Sequence, residues 1–86
     1  MVKMRDEKRL ARMRVSRNSV SPEELETVLL DWGFVPNPGH GSHRVFRHPA
    51  LAEKISIPYR RPLKPAYVRL ALAAIDRVRR LEREDE

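Results

Sequence analysis

Between Ser21 and Leu81 the spacing of apolar residues changes twice, and those two changes limit what the chain can fold into. Leu25, Val28, Leu29 and Trp32 recur at helical spacing. Ser21-Pro22-Glu23-Glu24 opens that run: Ser21 suits a cap, Pro22 the first helical position, and Glu24 completes a capping box. Gly33 is the natural stop, so the pattern predicts a helix over about 22–32.

The period then becomes two. Phe34-Val35 starts an extended stretch that ends in Pro36-Asn37-Pro38-Gly39-His40-Gly41, a turn or flexible loop. In 42–48, His43, Val45 and Arg47 point one way, and Arg44, Phe46 and His48 the other. Pro49 ends that strand. Ile55, Ile57 and Tyr59 alternate with Lys54 and Ser56, which predicts a second strand and an antiparallel hairpin. After the basic loop Arg60-Arg61-Pro62-Leu63-Lys64, Pro65 opens a last helix to about residue 82. Val68, Ala71, Leu72, Ile75 and Val78 form its apolar face, widened by Tyr67, Leu70 and Leu81.

Two amphipathic helices need one surface to bury their stripes, and a three-stranded sheet supplies it. The expected fold is therefore α+β: a two-layer domain of order α-β-β-β-α. Strands fall near 34–37, 42–48 and 53–58, with both helices on one face and the other face open to a polymer ligand. Residues 1–20 are expected as a basic N-terminal arm, either a frayed helix or a mobile segment. Residues 21–82 form the domain, and 83–86 an acidic tail. Eighty-six residues suffice for one domain.

A formal net charge of +6 favours an anionic partner. The charge is uneven: residues 1–20 carry seven Lys/Arg against two acids, and residues 59–81 seven against one. A membrane surface is the weaker partner, because neither basic segment faces a large aromatic or leucine stripe. The longest apolar run, Leu70 to Ile75, is six residues, short of the roughly 20 needed to span a bilayer. The charged N-terminus is not followed by the apolar stretch of a secretory signal. The chain has no cysteine, which fits a reducing, cytoplasmic setting and leaves no disulfide or thiolate metal site. His40, His43 and His48 lie close in sequence, but strand alternation separates His43 from His48, and Glu53 is the one nearby carboxylate. We therefore expect no metal and no cofactor.

Phosphate-binding glycine loops, HExxH and nucleophile elbows are absent. The informative cluster is Gly41-Ser42-His43-Arg44-Val45-Phe46-Arg47-His48-Pro49, which resembles the core motif of the HicA family of toxins. The capped helix ending in Trp32-Gly33-Phe34, the isoleucine strand, the basic loop and Lys64-Pro65-Ala66-Tyr67-Val68-Arg69 are similar to that family too, so the resemblance covers about residues 20–80. Tyr59 stands where many relatives carry a histidine or glutamine. The resemblance implies a fold like that of double-stranded-RNA-binding domains, metal-independent cleavage of mRNA, and neutralisation by a HicB-type antitoxin. It assigns catalysis to His43.

The residues suit that chemistry. RNA carries its own nucleophile, the 2′-OH, and an imidazole exchanges protons near neutral pH. Arg47 shares the predicted face of His43. Ser42, Arg44, Lys54, Arg60, Arg61 and Lys64 are further candidates for binding RNA, and Gly39 and Gly41 would let the backbone approach phosphate closely. His40 reads as a surface residue or substrate contact, His48 as packing or capping, Trp32 and Phe46 as core, and Arg77, Arg79 and Arg80 as a solvated helix face. Two other readings stand beside the ribonuclease: a non-catalytic RNA-binding module of the same fold, and a protein-interaction subunit whose basic surface meets an acidic partner.

Overall fold

A computed structural model describes residues 5–37 and 41–84. Gly39 and His40 lie outside the described residues. The chain folds as a small α+β domain. Helix α1 spans Glu7–Val15 and a 3-10 turn Arg17–Ser19; α2 spans Pro22–Asp31. Strands β1 (Val35–Asn37), β2 (His43–Arg47) and β3 (Ile55–Pro58) precede the long helix α3, Pro65–Glu84.

Helix α2 begins and ends where its sequence directs. The Ser21 hydroxyl accepts the Glu24 N–H at 3.1 Å. The capping box is only half made, because Arg12 of α1 draws the Glu24 carboxylate away. At the other end the Gly33 N–H donates to the Leu30 carbonyl and the Phe34 N–H to the Leu29 carbonyl, a Schellman closure. Gly33 has φ +88°, and a Cβ there would lie 3.3 Å from Nε2 of His48. The left-handed turn favours glycine, and any side chain there would also press on the His48 ring.

The sheet order is β1-β2-β3, antiparallel throughout. Pro36 and Pro58 lie in the outer strands, where a missing N–H is tolerated, and β2 between them has no proline. Phe46, Ile55 and Ile57 are buried and join Leu25, Val28, Leu29 and Trp32 of α2 and Val68, Leu72, Ile75 and Val78 of α3 in one core. The opposite face presents exposed His43, Arg47, Ser56 and Val35. The two-layer arrangement with one open face is as expected; the strands are one or two residues shorter than expected and α3 two residues longer.

The N-terminal segment is helical, as one of the two expectations had it, but it is docked on the domain rather than frayed or mobile. Leu10 and Met13 of α1 are fully buried in the common core. Arg5 makes two bonds of 2.8 Å to Glu82, and Arg14 bonds Asp76 at 2.5 and 3.1 Å. The Arg5 and Arg79 guanidiniums lie 3.9 and 4.8 Å from the Trp32 ring centre. Two buried side chains spaced i, i+3 make a weak stripe in the sequence, but they dock the helix together with the acids that α3 sets opposite the arginines.

Candidate nucleic-acid interface

His43 is the first residue of β2 and pairs with Pro58, the last of β3. The Tyr59 N–H donates to the Ser42 carbonyl at 2.6 Å, which carries the ladder one step past His43 and fixes its place. Gly41, with φ +71° and open space where a side chain would stand, turns the chain into the strand. His43 is exposed and faces a groove of about 380 Å³ lined also by Pro58, Arg60, Arg61, Pro62, Leu63, Lys64 and Tyr67. The strand end, the loop after it and the first turn of α3 build this groove. An imidazole beside three cations can exchange a proton next to an anion.

The expected phosphate contacts divide into two groups. Arg60, Arg61 and Lys64 gather around the His43 groove. Arg60 and Lys64 make no ion pair with any described residue, whereas Arg61 reaches Glu23 of α2 at 2.6 Å. That pair is exposed, and the Glu23 carboxyl is held below the usual carboxylate range first by its own backbone N–H and then by Arg61. Arg47 lies on the open face with His43, at the other end of β2, and is unpaired among the described residues.

Arg44 and Lys54 lie apart from this groove. Arg44 turns to the helix side, where it bonds Glu26 at 3.0 Å and stacks 4.5 Å from the Tyr59 ring centre. Lys54 lines a second groove along β3 and makes no ion pair among the described residues.

The ion pairs redraw the charge map. Arg5, Arg9, Arg12 and Arg14 of the first basic patch are tied to acids within the domain. The second patch keeps Arg60, Lys64 and Arg69 unpaired with any described residue, which concentrates free positive charge around the loop and the start of α3; Arg80, unpaired as well, lies towards the far end of that helix. The same pairs hold the Asp76 and Glu82 carboxyls below their usual range, through Arg14 and Arg5 respectively.

The other aromatic and histidine readings resolve as structure. Trp32 and Phe46 are core residues. His48 accepts the Ala50 N–H on Nδ1 at 3.0 Å and meets the Phe34 ring edge-on at 5.0 Å. Arg79 pairs with Glu7 at 2.8 Å rather than facing solvent alone, and Arg77 pairs with Glu53. Tyr67 packs against the core, as its spacing on α3 implies, and also lines the groove, a role that sequence reasoning missed. Its position three residues after Lys64, in the first turn beside the loop, was the available signal.

Among the described residues no helix is long and apolar enough to cross a membrane. Compared with protein-family models, curated proteins and solved structures, the chain matches none.

Proposed function

We propose that the protein is an endoribonuclease that cuts mRNA through His43, in the manner of a HicA-type toxin, on a fold of the double-stranded-RNA-binding kind. The observation that carries this reading is the exposed His43 imidazole in a groove with Arg60, Arg61 and Lys64. His43 takes the proton of a ribose 2′-OH as general base. The 2′-oxygen bonds to phosphorus, the bond from phosphorus to the 5′-oxygen breaks, and the leaving oxygen takes a proton from water. The products are a 2′,3′-cyclic phosphate and a free 5′-OH. The three cations offset the charge that builds on the phosphate oxygens. A small acidic antitoxin of the HicB type is the partner this surface would attract, and it would silence the enzyme by covering His43.

The test is product analysis. RNA should yield 2′,3′-cyclic phosphate ends in excess EDTA, and an all-DNA strand of the same sequence should stay intact. A requirement for added magnesium or zinc, or cleavage of the DNA, would overturn the mechanism. Tight RNA binding with no cleavage at all would favour the non-catalytic module, which the open face and unpaired cations would serve equally well.

A further inference from the structure

Tyr67 stands at the junction of two grooves. It lines the His43 groove and also the second groove, of about 130 Å³, shared with Glu53, Lys54, Ile55, Ser56, Leu70 and Arg77. Pro58 marks the His43 end of β3 and Lys54 precedes its other end. The four-residue step between them is about 13 Å along a strand. The two grooves thus follow one outer strand of the sheet, and Tyr67 sits between them on α3.

The chemistry along this line is that of a polyanion with flat apolar groups. Lys64 and Arg60 are unpaired among the described residues at one end, and Lys54 at the other. Glu53, the one carboxylate in the second groove, is held by Arg77. Tyr67 is half-buried: it packs against the core and leaves part of its surface to both grooves. A fixed aromatic ring between cations is the arrangement on which an unstacked base rests while its phosphates meet the charges. A duplex keeps its base faces stacked within the helix and has none to offer the ring.

We propose that Tyr67 is the stacking platform for the base next to the phosphate at His43, and that a single RNA strand continues from there along β3 towards Lys54. This rests on the ribonuclease reading and adds to it the path of the strand and a preference for unpaired RNA.

The probe is a short 2′-O-methyl oligonucleotide, which has no free 2′-OH and cannot be cut by the proposed route. Its affinity is measured by fluorescence anisotropy on the full chain. Tyr67→Phe keeps the ring and should bind like wild type. Tyr67→Leu keeps apolar bulk but loses the ring, and should bind about 5- to 150-fold more weakly. A scan of single abasic positions, run on wild type first, should find one position where removing the base weakens wild-type binding but not that of Tyr67→Leu. The matching duplex should bind more weakly than the single strand. If Tyr67→Leu binds as wild type, if every abasic position weakens both proteins alike, or if the duplex binds as tightly, the stacking platform is wrong while wild-type cleavage of unmodified RNA keeps the ribonuclease reading. If wild type neither binds the probe nor cuts RNA, the ribonuclease reading falls and this proposal with it.

Discussion

Arg44 Nη1 lies 3.0 Å from the Glu26 carboxylate, so a cation carried by the strand of His43 is tied to helix α2 on the opposite side of the sheet. Its guanidinium also covers the Tyr59 ring. Two partners compete with phosphate for Arg44, and none of the described residues does so by ion pairing for Lys64. In an RNA salt titration, Lys64→Ala should flatten the slope by about 0.7, the share of one phosphate contact on a single strand. Arg44→Ala should leave the slope nearly unchanged. Filter binding at several salt concentrations measures both. An equal loss in the two variants would show that Arg44 leaves Glu26 to meet RNA.

The docking of α1 rests on its two buried side chains more than on its ion pairs. Leu10→Ala removes a fully buried side chain and should cost about 2–5 kcal/mol. For a domain of this size that lowers the melting temperature by about 8 °C or more. Arg14 and Asp76 are both partly exposed, so Arg14→Ala should cost less than about 1 kcal/mol. Thermal melts of the two variants test the ranking, and a larger loss for Arg14→Ala would reverse it.

Acid should loosen the same helix. Asp76 and Glu82 have carboxyls held low by Arg14 and Arg5, so the folded state binds their protons more weakly than the unfolded chain does. Their contribution is complete above about pH 4, the ordinary carboxylate value, and is lost as pH falls through the lower folded values. Hydrogen exchange of the α1 amides should therefore show weaker protection on moving from pH 5 to about pH 3, after correction for the intrinsic rate, with the core of β2 less affected. Protection in α1 that does not change over this range would contradict the role given to the two pairs.

Much of the fold was legible because its signals are local. Ser21, Pro22 and Gly33 mark the ends of α2 through bonds to near neighbours, and Phe46, Ile55 and Ile57 announce the buried face by alternation. What could not be read depends on distant partners. Leu10 and Met13 are buried in a core shared with α2 and with α3, some sixty residues on, and Arg44 is claimed by Glu26 only once β2 lies against α2. The half-made capping box has the same cause, since Arg12 reaches Glu24 across two helices. In the candidate site, His43 and the loop cations were identified from a motif and a charge run. Tyr67 was not, because an aromatic residue at helical spacing reads as core, and only the turn of the loop towards β2 opens it to the groove.

The most direct measurement of the central claim is single-turnover cleavage of one RNA by wild type and by His43→Ala, with affinity measured beside it. His43 faces the groove as an exposed side chain, so its loss should leave the fold intact. Binding should stay nearly the same because the affinity comes from the cations. Wild type should cut, and His43→Ala should bind without cutting; cutting by His43→Ala at the wild-type rate would show that His43 is not the catalyst.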